Sequence, residues 1–349
     1  MNGCSLYRVK WAFGLYVCIA GLWLACGAGA QETKETVTVD SVDRTYMIRL
    51  PKGYDEKQHY PLVMLLHGVN QDADDIERLT RFNELADKDG IIAVYPSALH
   101  GRWNFGVREG PPQVMQPGPY RRRRMGGGYP PPQYPEGGQR RRETENPPAD
   151  DIEFFNQMLD KIATKVSVDK SRIYATGLSD GGFMATKAGC AMADRIAAIG
   201  PVAAAMPKTM VCLPARPIPV VMINGTDDPI VKYDGMSAKP GRVATISVED
   251  SAKEWAKLDR CSEKPTHSKL RAHEKGGKDT EVATYEGCQQ NASVVLYSVK
   301  GGGNAWPGGQ QYEVEKQIGK TSQDLDANEV MWSFFVTKKL PEASGEPPK

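Results

Sequence analysis

Ser179 sits in the stretch YATGLSDGG, residues 174–182, where Gly177-Leu178-Ser179-Asp180-Gly181 fits the spacing G-x-S-x-G. A serine so placed attacks carbonyl carbon when the chain turns sharply at it from a strand into a helix. The flanking glycines let strand and helix approach closely. The oxyanion formed by that attack needs N–H donors, and His67-Gly68 at the end of PLVMLLHGVN, residues 61–70, supplies a loop for them. The expected donors are the amides of Val69 and of Asp180, the residue after the nucleophile. His67 itself reads as a residue that shapes the loop. Downstream, VMINGTDDPIV, residues 221–231, brings Asp227 and Asp228 to the end of an apolar run. Paired aspartates also cap turns before a proline. The strand-end position, later in the chain than the elbow, favours Asp228 as the acid of a Ser, Asp, His order.

These groups converge only if alternating strands and helices carry them. Strands are expected at Arg44–Leu50, Tyr60–Leu66, Ile91–Tyr95, Arg172–Thr176, Ile196–Val202, Pro219–Asn224 and Ser293–Val299. Between them, helical patterns cover Ile76–Lys88, a segment from Asp150-Asp151 to about Val166, Gly181–Met192, Ile246–Leu258 and Leu325–Lys338. The two aspartates that open the second of these suit the positive end of a helix dipole. Such alternation implies a mainly parallel sheet with helices on both faces.

The chain has 349 residues, 25% charged and 40% apolar, ordinary for one large globular domain. A net charge of +1 argues against a general nucleic-acid binder, which needs a basic surface to displace phosphate counterions. Residues 1–30 read as an export signal: Arg8 and Lys10, an apolar run from Trp11 to Ala25, then Ala28-Gly29-Ala30. Lipidation near Cys26 and retention as an anchor are the alternatives, and only these would place the chain at a membrane; otherwise it is secreted or periplasmic. Residues 31–340 form the domain, and residues 341–349 a flexible tail. One segment, residues 106–148, is rich in Pro, Gly and Arg without apolar period and reads as a disordered insertion. Cys190, Cys212, Cys261 and Cys288 lie in the exported part, an even number suited to two disulfides. Four cysteines allow three pairings; proximity favours Cys190 with Cys212 and Cys261 with Cys288. No cysteine or histidine spacing indicates a metal site.

Taken together, LLHGVNQDADDI, GLSDGG, NGTDDPIVKYDG, GGGNAWPGG and DLDANEV resemble the secreted polyhydroxybutyrate depolymerase and feruloyl esterase-like branch of the α/β-hydrolases. The resemblance covers nearly all of the chain after residue 30 except the insertion. It implies the α/β-hydrolase fold, an acyl-enzyme on Ser179, Asp228 as acid, no cofactor, and an ester-containing polymer or small-molecule ester as partner. It places Trp103 and Trp306, with His67, around an acyl pocket. The histidine of the family's G-G-G-H-x-W-P-G motif falls on Asn304.

That departure matters chemically. A triad histidine donates one N–H to the acid and accepts the serine proton on its other nitrogen. An asparagine amide can donate to Asp228, but it has no basic nitrogen near neutral pH. His100, just after the strand ending at Pro96, is the best substitute base, ahead of His267 and His273 between Cys261 and Cys288. A protein that binds the ester without cleaving it is the competing expectation.

Overall fold

Each central strand is apolar on both sides, and that pattern makes sense only in a sheet covered on both faces. The computed structural model describes residues 31–106, 150–239, 243–272 and 277–341. The proposed signal, nearly all of the insertion, His273 and the chain beyond Pro341 lie outside the described residues. Ten strands form one sheet in the order β1-β2-β4-β3-β5-β6-β7-β10-β9-β8. They are β1 (Gln31–Val39), β2 (Val42–Leu50), β3 (Tyr60–Leu66), β4 (Ile92–Pro96), β5 (Val168–Leu178), β6 (Ala198–Val202), β7 (Val220–Gly225), β8 (Thr266–Leu270), β9 (Thr280–Tyr285) and β10 (Val294–Val299). From β4 across to β10 the pairing is parallel. Antiparallel strands finish both edges. This is the mainly parallel sheet of an α/β-hydrolase.

Helices α1 (Ala73–Thr80), α2 (Phe82–Asp89), α3 (Asp151–Ala163), α4 (Asp180–Ala191), α5 (Val248–Leu258), α6 (Glu315–Ile318) and α7 (Ala327–Phe335) surround it. Alternation along β3 sorts its side chains between two cores. Leu62, Met64 and Leu66 pack with α3, α4 and α5, whereas Val63 and Leu65 pack with α1, α2 and α7. Because the central strands are parallel, the loops after β3, β5, β6, β7 and β10 share one edge of the sheet, where α/β proteins carry their ligands.

Three features depart from the expected elements. The helix expected over Ile76–Lys88 is two helices, because Arg81 adopts a left-handed conformation at φ 55° between them. Its N–H caps α1 by bonding the Glu77 carbonyl, although no glycine marks the break. Strand β1 is mostly exposed and polar, so it carries no apolar run to detect. Strand β8 is exposed and polar at the other edge, and β9 beside it mixes buried Val282 and Tyr285 with polar residues.

At the start of α3 the two aspartates divide their work. Asp150 is the N-cap and accepts the Glu153 N–H. Asp151 is buried and pairs with the buried Arg44 of β2, while its second oxygen accepts the Asn104 N–H at 2.6 Å. Both disulfides join the cysteines nearest in sequence: Cys190–Cys212 ties the end of α4 to the segment before β7, and Cys261–Cys288 ties the chain after α5 to the turn after β9. No helix among the described residues is long and apolar enough to cross a membrane.

Candidate active site

Ser179 is the hinge between β5 and α4. Its backbone lies at φ 55°, ψ −112°, a strained conformation for a residue with a side chain. Two ties hold it there: its N–H bonds the Val202 carbonyl of β6 at 2.9 Å, and its carbonyl accepts the Phe183 N–H at 3.0 Å. The glycines of the motif are steric requirements. A Cβ on Gly181 would lie 2.0 Å from the Leu66 carbonyl oxygen, and one on Gly177 would lie 2.6 Å from both Leu66 O and Gly181 O. The serine is 8% exposed, and among the described residues its hydroxyl makes no hydrogen bond.

Beside the elbow runs the loop that follows β3. The Gly68 N–H is bonded by the Gln71 side-chain oxygen at 2.8 Å, and Val69 is half-buried beyond it. Asp180 opens α4, and its carboxylate accepts the Trp103 main-chain N–H at 3.1 Å. His67 is fully buried, with both ring nitrogens engaged: Nδ1 with the Gly68 carbonyl at 2.7 Å and Nε2 with the Ala98 N–H at 2.9 Å. Because a main-chain N–H can only donate, Nε2 is the acceptor and Nδ1 carries the proton. Burial lowers the imidazole pKa, consistent with that neutral form.

On the other side of Ser179, Asp228 and Asn304 meet. Asn304 Nδ2 donates to Asp228 Oδ2 at 2.8 Å, and Asp228 Oδ1 accepts the N–H groups of Ile230 and Val231, each at 2.8 Å. Both side chains are buried. Burial pushes the Asp228 carboxyl up to about 6, against the pull of the Asn304 amide and the two main-chain donors. Asp227 is exposed; its N–H bonds the Gly302 carbonyl and so fastens the acid loop to the asparagine loop. A residue not anticipated from sequence, Tyr312, donates to Asn304 at its carbonyl (3.0 Å) and lies 3.2 Å from its Oδ1. Its distance from Asn304 along the chain carries no periodic signal that would have identified it.

The remaining expected site residues are placed as follows. Trp103 and Trp306 are both fully buried, Trp103 in the core of α3, α4 and α5, and Trp306 in the core of α1, α2 and α7. The indole of Trp306 donates to Asn328 at 3.0 Å, fastening its loop to α7. The two rings therefore lie on opposite faces of the sheet. His100 is exposed in a short turn, Leu99–Gly101, at φ 54°, and His267 is exposed on the edge strand β8. Among the described residues no imidazole hydrogen-bonds to Ser179.

A serine on a strained strand-to-helix turn and a buried carboxyl on a loop at the same edge of the sheet are compatible with nucleophilic acyl transfer. Residues 44–105 match the family described as esterase PHB depolymerase. Feruloyl esterase B of Piromyces equi is 28% identical over 271 residues, covering 75% of this chain but 42% of that esterase, so the chain spans less than half of its length. A putative esterase, NocK of Nocardia uniformis subsp. tsuyamanensis, is 26% identical over 320 residues, with 88% of this chain and 84% of NocK covered. Among solved structures, the acetyl xylan esterase from Aspergillus awamori superposes with a TM-score of 0.53 at 11% identity, over 87% of this chain and 99% of that one, a likeness of fold. The chain is thus similar to polyhydroxybutyrate depolymerase and feruloyl esterase-like proteins, and it has the α/β-hydrolase fold.

Proposed function

We propose that this protein is an exported carboxylic ester hydrolase, acting on a polyhydroxyalkanoate or a feruloyl-type ester. Ser179 attacks the ester carbonyl to form an acyl-enzyme, the amides of Val69 and Asp180 bind the oxyanion, and Asp228 with Asn304 occupies the place of the acid and base. The observation that carries this reading is the backbone of Ser179, φ 55° and ψ −112° between β5 and α4. A conformation that costs about 1–3 kcal/mol is kept where the surrounding structure uses it. The esterase names of the relatives support the reaction class, and the two disulfides together with the apolar N-terminal sequence support export.

With an amide where the base belongs, Ser179 keeps its proton in the ground state and turnover is slow. The oxyanion donors and binding alone retain roughly a thousandfold or more over water in hydrolases stripped of their triad. The test is hydrolysis of a short chromogenic ester by the full chain and by Ser179→Ala. A slow rate abolished by the substitution supports the reading; a rate that survives it, or none in the parent, overturns it. One observation favours a second reading, a protein that binds esters without cleaving them: the Asn304 amide meets Asp228 on one side and the Tyr312 hydroxyl on the other. Saturable binding of a non-hydrolysable ester analogue without any Ser179-dependent turnover would select it.

A further inference from the structure

The two oxyanion donors proposed above belong to different pieces of the chain, Val69 to the loop after β3 and Asp180 to the first turn of α4. Two donors stabilise developing charge only when their spacing and aim are fixed before reaction. Contacts that tie the two pieces together run through one residue of a third segment. Trp103, in the segment that follows β4, gives its main-chain N–H to the Asp180 carboxylate at 3.1 Å and its indole Nε1–H to the His67 carbonyl at 2.9 Å. Its ring lies 5.0 Å from the His67 imidazole and 5.5 Å from Phe155, and only 1% of the residue is exposed.

We propose that Trp103 is a positioning residue that sets the separation and aim of the two oxyanion donors; this rests on the ester-hydrolase reading. Its carbonyl partner, His67, passes the constraint on. The His67 Nδ1–H grips the Gly68 carbonyl, and a planar trans peptide forces the Val69 N–H to point opposite to that carbonyl. The segment bearing Trp103 is fixed from behind as well, because the next residue, Asn104, donates its N–H to Asp151, whose other oxygen pairs with Arg44. Close packing completes the frame: the site of a Gly181 Cβ is 2.7 Å from the same His67 carbonyl oxygen that the indole binds. Elbow, oxyanion loop and Trp103 therefore meet around one carbonyl, which gives this tryptophan a supporting role for the donors.

The test uses Trp103→Phe, which keeps an aromatic ring and the main-chain N–H and removes the indole donor, together with Asp180→Ala, Asp180→Asn and the double variant Trp103→Phe/Asp180→Ala. On a short chromogenic ester, each of Trp103→Phe and Asp180→Ala is expected to lower kcat about ten- to a hundredfold with KM within about twofold, because a misaimed donor acts on the transition state. Asp180→Asn retains an acceptor for the Trp103 N–H and is expected to keep most of the rate. The double variant loses less than the product of the single losses, since both substitutions break one bridge. Affinity for a phenylboronate, whose tetrahedral adduct with Ser179 places an oxygen between the donors, falls by the same factor as kcat, while affinity for the carboxylic acid product does not change. Unaltered kcat and boronate affinity in Trp103→Phe, or losses that multiply independently, would overturn the proposal. A parent activity that survives Ser179→Ala overturns the ester-hydrolase reading instead, so the two failures are distinguishable; should Trp103→Phe not fold, the Asp180→Ala and Asp180→Asn pair carries the same comparison.

Discussion

The two sides of the candidate site are built on different physical terms. On the elbow side, position is secured by backbone: glycines that leave no room for a Cβ, a serine held at positive φ, and main-chain bonds to β6. On the acid side the loops are also tied by backbone, Asp227 N–H to the Gly302 carbonyl and Asn304 N–H to the Ile318 carbonyl, but the groups that face each other are side chains: a buried carboxyl met by the Asn304 amide and by two main-chain N–H groups. A backbone scaffold tolerates few replacements, and each shows in the sequence. A side-chain couple can keep its hydrogen-bond geometry while exchanging imidazole for amide, and so lose its basicity without losing its shape. Asn304 presents a donor to Asp228 and, unlike an imidazole, carries no basic nitrogen on its other side.

The largest expected effect tests that asymmetry directly. Asn304→His should raise kcat on a short ester by at least about a thousandfold, since removing the histidine base from a serine hydrolase costs up to about a millionfold in the reverse direction. The gain must vanish in Asn304→His/Ser179→Ala. A folded variant with no gain would mean that residue 304 does not face the serine proton, and that the two sides are not halves of one machine.

The same contrast explains what could be read from sequence. Gly177, Ser179 and Gly181 were legible because a strand-to-helix turn leaves those positions almost no choice, and β3 to β7 were legible because strands buried on both faces are continuously apolar. Tyr312 was not, because its hydroxyl meets Asn304 by tertiary folding rather than by any local period. The family resemblance implies Trp103 at the pocket, but an indole N–H bonded to a buried carbonyl reveals itself only when two distant loops are seen together. The outermost antiparallel strands, β1 and β8, are not legible because their exposed residues are Lys, Glu, Thr, His and Ser in place of apolar alternation, and β9 offers only a short mixed pattern between polar residues. The break at Arg81 was hidden because a left-handed residue there is not a glycine.

Breaking the elbow side should cost stability. Gly181→Ala drives a methyl to 2.0 Å from the backbone oxygen of Leu66, which cannot rotate away. The strand and helix must separate, at an expected cost of about 3 kcal/mol or more in denaturant unfolding. Gly189→Ala, in the same helix, meets the flexible side chain of Ile199 at 2.7 Å and should cost less. Equal losses at the two positions would show that the elbow is not specially constrained.

The smallest expected effect sharpens the acid side and is read against pH. Asp228 is held near 6 by burial, above the ordinary 3.8, so the folded state binds its proton more tightly than the unfolded chain does. Its contribution to stability is fully present below about pH 4 and is lost as pH rises through 6, a change of about 3 kcal/mol. Asp228→Asn should remove that slope, and it can do so without leaving a clash. The Asn304 amide can turn over to present its oxygen to the new amide, because the Tyr312 hydroxyl accepts as well as donates. Asp259, raised to about 7 by burial, titrates in both proteins, so the difference between their stability curves from pH 4.5 to 7.5 isolates Asp228. In Asn304→His the carboxylate would instead face a ring able to carry positive charge, which favours its ionised form. The loss of stability through pH 6 seen in the parent should then shrink. An unchanged slope in both variants would show that Asp228 is not the carboxyl whose burial this couple compensates.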